Sequence, residues 1–291
     1  MNKKIVFACD YDGTYRYNTE PRPVDADIEA VRRFRAEGNV FGIVAERDVF
    51  EMMAIIGVLR SEYDFIVCSG GASAIVKTSD ASAGKSLTSV GVESELPVQL
   101  YCHGLNPYIV YDAVGIAETA GATGVTIDTP GFRGGVCMAE DYARTYSPAK
   151  GVGCNVHFWY GGQFFQKPVN RDALMFVFPI SRCSVNFRCV SAAESTAKLI
   201  LERYNGKVEI HPRGRGFDLT VKGMDKVYGI ERVLEYLRLP ADCVWSYGDG
   251  NGDIGMLRKY NGIAVSGSYA DSTGEIPRTA NCVKNALELI K

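Results

Sequence analysis

At residues 4–14 the chain reads KIVFACDYDGT. An almost unbroken apolar run stops abruptly at Asp10-Tyr11-Asp12-Gly13-Thr14. That pattern predicts a strand buried on both faces that feeds a polar loop at its carboxyl end. The next sixty residues repeat the theme. In DADIEAVRRFRAE, residues 25–37, Ile28, Val31 and Phe34 fall at helical spacing, with Asp25 as cap and Gly38 as stop. VFGIVA (40–45) predicts a second buried strand, 48–60 a helix capped by Asp48, and DFIVC (64–68) a third strand that ends in Ser69-Gly70-Gly71. Strand, helix, strand, helix, strand calls for a parallel sheet.

Beyond about residue 80 the rhythm is lost. Residues 80–170 are rich in Gly, Ser, Thr and Tyr, and helices are hard to place there. Strands are expected again at 173–178 and 184–190, a helix at 192–205, and a hairpin of 207–211 with 217–221 around Pro-Arg-Gly-Arg-Gly. From Asp225 the first rhythm resumes: helix 225–238, strand 242–247, a Gly-Asp loop, helix 253–259 and strand 262–265. The expected fold is therefore α/β, a doubly wound parallel sheet built from 1–81 and 222–291, with 82–221 inserted as a second domain.

Composition fits this reading. The chain has 291 residues, 46% of them hydrophobic and 23% charged, which is globular usage. The net charge of −2 removes the electrostatic reason to expect nucleic-acid binding. The nine cysteines are odd in number and none has C-x-x-C spacing, as expected of reduced thiols in a cytoplasmic protein. His103, His157 and His211 lie far apart in sequence, so no zinc site is expected. The apolar run before Asp10 is too short for a signal peptide, and no membrane span is expected.

In such sheets, sites lie at the carboxyl ends of the strands. Two carboxylates at a buried strand end, Asp10 and Asp12, are costly unless a cation or partner neutralises them. The loop Gly248-Asp249-Gly250-Asn251-Gly252-Asp253 adds two more after another buried strand. Either loop alone could be a polar cap or a turn. The coincidence of both is hard to explain by turn chemistry, and Mg²⁺ suits a carboxylate set. Lys226 stands in the first turn of a predicted helix, where it opposes the helix dipole. It can neutralise an anion or a cluster of carboxylates.

DYDGT (10–14), Lys226 and GDGNGD (248–253) together resemble the haloacid-dehalogenase (HAD) superfamily. The stretch 217–257, FDLTVKGMDKVYGIERVLEYLRLPADCVWSYGDGNGDIGML, is similar to its Cof-type, class IIB cap phosphatases. The resemblance implies that the insert is an α+β cap. It implies a Mg²⁺-dependent phosphatase of small phosphorylated metabolites, most plausibly sugar phosphates. Asp10 would be the nucleophile that forms an aspartyl-phosphate, and Asp12 the acid and base for the leaving group and water. Mg²⁺ would sit on Asp10, the backbone carbonyl of Asp12 and Asp249, with Asp253 outside them. Lys226 would neutralise the nucleophile and the phosphoryl oxygens. Gly13, Thr14, Arg47, Ser69, Gly70 and Asn251 are the expected phosphate and substrate contacts in the core.

Two departures stand out. The family ends its second strand with Thr or Ser, Gly, Arg, whereas this chain has Ala45-Glu46-Arg47. The last motif carries Gly252 where the family has Asn. Ala45 has no hydroxyl for a phosphoryl oxygen, and Ser69 or Arg47 are the candidates to replace it. Glu46 is expected to turn away from the anion and pair with Arg47 or a cap residue. In the insert, Asn186, Arg188, Arg213 and Arg215 are candidate substrate contacts, although arginines in such turns are commonly solvated. His157-Phe158-Trp159-Tyr160 could stack on a sugar or a base, or form core. Two other readings stay open: a phosphomutase, and a ligand-binding or regulatory protein whose activity has decayed at Ala45, Glu46 and Gly252.

Overall fold

The computed structural model describes residues 4–20, 22–49, 52–53, 55, 62–77, 97–128, 133–137, 155–160, 163–168 and 179–290. For 133–137, 155–160 and 163–168 it describes the backbone. The chain divides into two compact units, one of residues 1–47, 51–101 and 225–291, the other of 48–50 and 102–224.

The apolar runs near each terminus become neighbouring strands. β1 (Val6–Asp10), β2 (Val40–Val44) and β3 (Phe65–Cys68) are buried along their whole length. Such strands need cover on both faces, which is why their sequences do not alternate. β1 pairs in parallel with β2 and, on its other side, with β13 (Val244–Gly248). The sheet continues through β14 (Asn261–Val265) and β15 (Thr279–Ala280), all parallel. Beyond β3 lie β4 (Ser73–Lys77), antiparallel, and β5 (Pro97–Cys102), giving the order β15-β14-β13-β1-β2-β3-β4-β5.

One face of this sheet packs on the helix Lys226–Leu237 through Val6, Ala8, Val44 and Val67 against Ile230, Val233 and Leu234. On Phe7, rings close in from Phe41 at 5.9 Å, stacked, and from Phe34 at 6.2 Å, edge on. Each such side chain contributes roughly 1.5–3 kcal/mol by leaving water. Phe34 belongs to the helix Asp25–Ala36, whose buried residues include Ile28 and Val31. Asp25 is not its cap: Val24 occupies that position, and the Asp25 carboxylate pairs with Arg22 at 2.5 Å. Asp25 instead lies within the first turn, where its charge still suits the helix dipole.

The second unit holds an antiparallel sheet. β6 (Gly124–Asp128), β7 (Arg133–Cys137), β10 (Arg182–Asn186), β11 (Val208–Pro212) and β12 (Gly216–Val221) take the order β11-β12-β10-β6-β7. A separate hairpin joins β8 (Asn155–Tyr160) to β9 (Gln163–Pro168). The helices Pro107–Thr119 and Val190–Arg203 share a core with this sheet through Val110, Val114 and Ile200 against Val125, Val185 and Leu219.

The expected boundary near residue 82 falls at 102 instead, because β5 extends the first sheet. The strand expected at 184–190 spans Arg182–Asn186. The strand expected at 173–178 lies outside the described residues, as does most of the helix expected at 48–60. The side chains of His157–Tyr160 also lie outside them. Among the described residues, no helix is long and apolar enough to cross a membrane.

Candidate active site

Parallel pairing puts the carboxyl ends of β1, β2, β3 and β13 on one edge. Asp10, Val44, Cys68 and Gly248 are the last residues of those strands. Each loop that carries candidate chemistry therefore starts from the same edge, although the loops come from opposite ends of the chain.

Lys226 reaches this edge because its helix is fixed from both sides. Asp225 caps the helix, its carboxylate accepting from the Tyr228 amide at 2.7 Å. The apolar face seats the helix on the sheet. The ammonium then donates to Asp10 Oδ1 and to Asp253 Oδ1, both at 2.7 Å. All three groups are buried. Asp253 is held in turn by its other oxygen, which accepts from the amides of Asp249 and Gly250 at 3.1 and 2.9 Å. Asp249 receives the Thr14 hydroxyl on Oδ1 at 2.8 Å. A Cβ at Gly13 would lie 2.5 Å from Asp249 Oδ2, and Gly13 sits at φ +88°, so only glycine lets the two loops meet here.

Carboxylate oxygens of Asp10, Asp249 and Asp253 all lie within 4.8 Å of one another. One ammonium faces three carboxylates, and the surplus negative charge pushes titrations upward. Burial and the Asp253 charge drive the Asp10 carboxyl well above its usual value, with Lys226 opposing. Burial also raises Asp249, against the Thr14 hydrogen bond, and Asp253 adds to the rise. Burial pulls the Lys226 ammonium down, but Asp10, Asp253 and Glu46 outweigh it and hold it well above normal. A hard cation fits such a set: oxygen donors in excess of their compensating charge.

Asp12 stands apart from this cluster. The chain folds back on itself between Asp12 and Arg16, which form an isolated bridge. Arg16 then donates to Asp12 Oδ1 through Nε at 3.0 Å and through Nη2. Arg47 donates through Nε to Oδ2 at 2.5 Å and through Nη2 to Oδ1 at 3.0 Å. Burial raises the Asp12 carboxyl, yet the hydrogen bonds of Arg47 and Arg16 prevail and hold it below the usual range. Arg47, expected as a phosphate contact, is thus engaged with the residue expected to be the acid. The part played by Arg16 escaped the sequence reading altogether.

Glu46 lies within reach of the Lys226 ammonium. Its Oε1 lies 3.9 Å from Lys226 Nζ, and its carboxylate lies over Gly70 and beside Gly252. The Lys226 ammonium attracts this carboxylate, and the expectation of a carboxylate turned away concerns a site that holds an anion. The main chain supports this placement: Ser69 N–H donates to Arg47 O at 2.7 Å and Gly70 N–H to Ala45 O at 3.1 Å. Ser69 is buried and takes φ +50°, uncommon for a residue with a side chain, as the chain turns to make those bonds. Asn251 is exposed at the start of the short turn Asn251–Asp253.

Arg188, Arg213 and Arg215 belong to the second unit and are exposed there. Arg213 Nε lies 2.8 Å from Asp218 Oδ1, and Arg215 Nη1 reaches Arg188 O at 3.5 Å. The main-chain oxygen of Asn186 accepts from the Thr123 amide at 2.8 Å.

Residues 184–271, which include Lys226, Asp249 and Asp253, match the family model described as haloacid dehalogenase-like hydrolase. Over that stretch the chain is similar to the haloacid dehalogenase-like hydrolases. Solved structures share its fold. A HAD subclass IIB sugar phosphatase is 17% identical, with a TM-score of 0.70 over 99% of this chain and 98% of its own. A phosphatase of the same superfamily from Bacteroides thetaiotaomicron is 14% identical, with a TM-score of 0.74 over 99% and 94%. A HAD/Cof-like hydrolase from Plasmodium vivax is 15% identical, with a TM-score of 0.66 over 99% and 95%. At such identities the likeness shows the fold alone. No curated protein matches the sequence. The family match falls on the later part of the chain. The Asp10 loop rests on its own geometry.

Proposed function

We propose that the chain is a Mg²⁺-dependent phosphoric monoester hydrolase acting on small phosphorylated metabolites, sugar phosphates foremost. The observation that carries this reading is the meeting of Asp10 with Lys226 at 2.7 Å, with oxygens of Asp249 and Asp253 inside 4.8 Å of Asp10. The sugar phosphatase with the same fold supports the substrate class.

In this reading an Asp10 oxygen attacks phosphorus and the bond from phosphorus to the leaving oxygen breaks. An aspartyl-phosphate results, which water then hydrolyses. Lys226 favours the ionised form of Asp10 against burial and the Asp253 charge and orients it, and its own charge offsets that of the incoming phosphoryl group. Asp10 and Asp249 would hold Mg²⁺, with Asp253 fixing Lys226 and the Asp249 loop. When bound, the cation supplies further neutralisation of the phosphoryl oxygens. Asp12 would protonate the leaving oxygen. To do so it must first lose part of its double guanidinium grip, and Arg47 is the partner that a phosphoryl anion would draw away. The proposal includes a cytoplasmic location, supported by the buried thiols of Cys9 and Cys183, and no nucleic-acid partner, supported by the net charge of −2.

The test is a screen of phosphorylated metabolites with and without Mg²⁺. Mg²⁺-dependent release of orthophosphate supports the reading, and a requirement for a bisphosphate activator would indicate a phosphomutase. The position of Glu46 favours one second reading, a binding protein with weakened turnover. Tight binding of a phosphorylated ligand without its hydrolysis would favour that alternative.

A further inference from the structure

We infer that Glu46 is a specificity-determining residue: its carboxylate stands on the ground beside Lys226 that a phosphoryl oxygen would take, so phosphate binds only once Glu46 withdraws. The inference rests on the phosphatase reading of the site and adds to it a residue that no part of that reading requires.

The Lys226 ammonium has three donors. Two are spent on Asp10 and Asp253 at 2.7 Å, and Glu46 is the third carboxylate paired with the ammonium, its Oε1 at 3.9 Å. A phosphoryl group attacked by Asp10 must bring its oxygens to the same ammonium.

The surroundings are shaped to hold this carboxylate. A Cβ at Gly70 would lie 2.8 Å from Glu46 Oε2, and one at Gly252 would lie 3.2 Å from Oε1. Side chains at either position would crowd it. The two departures from the family pattern, Glu46 and Gly252, therefore lie side by side: a side chain at 252 would press on the carboxylate, which would have to shift slightly. The hydrogen bonds from Ser69 and Gly70 to Arg47 and Ala45 fix the main chain on both sides of Glu46.

The carboxylate also has a way out. The Glu46 side chain is 56% exposed, whereas those of Lys226, Asp10 and Asp253 are between 3 and 7% exposed. The Glu46 carboxylate therefore borders solvent, whereas the groups it faces do not. A doubly charged phosphate must drive the carboxylate's withdrawal against charge repulsion. Ligands whose own charge is smaller, or is offset by a neighbouring cationic group, are opposed less. Glu46 thus ranks phosphorylated ligands by charge.

Calorimetric titration with inorganic phosphate in the presence of Mg²⁺ tests this. Wild type is compared with Glu46→Gln and with Gly252→Asn, which leaves the carboxylate intact and presses on it. Both variants are expected to bind phosphate at least tenfold more tightly, with melting temperatures close to wild type. Equal affinity in all three proteins overturns the inference and leaves the phosphatase reading standing. No phosphate binding in any of them overturns both. Should one variant fail to fold, the other decides, because the two act on the same contact from opposite sides.

Discussion

Arg47 grips Asp12 with two prongs, Nε to Oδ2 at 2.5 Å and Nη2 to Oδ1 at 3.0 Å. The pair ties the loop after β2 to the loop after β1, and it favours the ionised form of a carboxyl group whose proposed role as acid needs the proton. Its contribution to stability has a definite pH dependence. The folded pKa of Asp12 is depressed, so the stabilisation is present above the unfolded value of about 4 and is lost as pH falls through the folded pKa. Arg47→Ala should cost no more than about 1 kcal/mol at pH 7, because both side chains are about one-third exposed. The difference from wild type should shrink as pH falls below about 4. Urea denaturation of both proteins across pH 3–7 measures it, and a difference as large at pH 3 as at pH 7 would show that the pair is not its source.

Lys226 carries a larger share of the stability. Its ammonium compensates two buried carboxylates at 2.7 Å. Removing one partner of a buried ion pair leaves an uncompensated charge, which typically costs about 3–5 kcal/mol. Lys226→Met should lose stability on that scale and all turnover. Asp10→Asn should differ in sign. Burial and Asp253 raise the pKa of Asp10, so ionising it at neutral pH strains the native state. The amide relieves that strain. Its variant should therefore be inactive and at least as stable as wild type in the absence of divalent cation, as denaturant melts would show.

A divalent cation should raise the melting temperature, since it binds the folded carboxylate cluster and not the dispersed one. Mg²⁺ should give a saturable rise in wild type, and EDTA should reverse it. Asp249→Asn should remove most of the response, because Asp249 carries no ion pair to Lys226 and its charge is the one most open to a cation. A full response in that variant would place the cation elsewhere.

The strands of the first sheet were legible because each is an apolar run too short and too continuous for a surface helix. VFACD, VFGIV and FIVC can only be buried on both sides, and their abrupt polar ends marked the site. The helix Pro107–Thr119 was not placed, although Asn106 accepts from the Tyr108 amide at 2.9 Å and Pro107 opens the first turn. That cap and proline are a recognisable start signal, obscured by surroundings rich in Gly and Thr. The direction of Glu46 could not be read at all. It depends on the room left by Gly70 and Gly252 and on the charge of Lys226, which only the fold brings together. The same holds for Arg16: its grip on Asp12 follows from a return of the main chain that no side-chain pattern announces.

The altered end of β2 separates two effects that kinetics can resolve. Glu46 opposes the arrival of the phosphoryl group, so Glu46→Gly should chiefly lower KM for a generic ester such as nitrophenyl phosphate. Ala45 is buried beside the site and offers no hydroxyl. Adding one in Ala45→Thr should act mainly on kcat, because a donor aimed at a phosphoryl oxygen strengthens as charge develops. A single oriented donor of this kind is worth at most about 3–4 kcal/mol in the barrier. The Thr hydroxyl adds to Lys226 rather than replacing it, so about a tenfold rise in kcat is expected. The double variant should show both changes. Steady-state kinetics on the two single variants and the double variant, each checked for folding, gives the answer. If kcat stays flat while KM falls, the hydroxyl is not needed, and Ser69, held buried in a left-handed conformation on the neighbouring loop, is the residue to replace next. If KM also stays flat, Glu46 leaves the site before phosphate arrives, and the contact with Lys226 has no bearing on substrate binding.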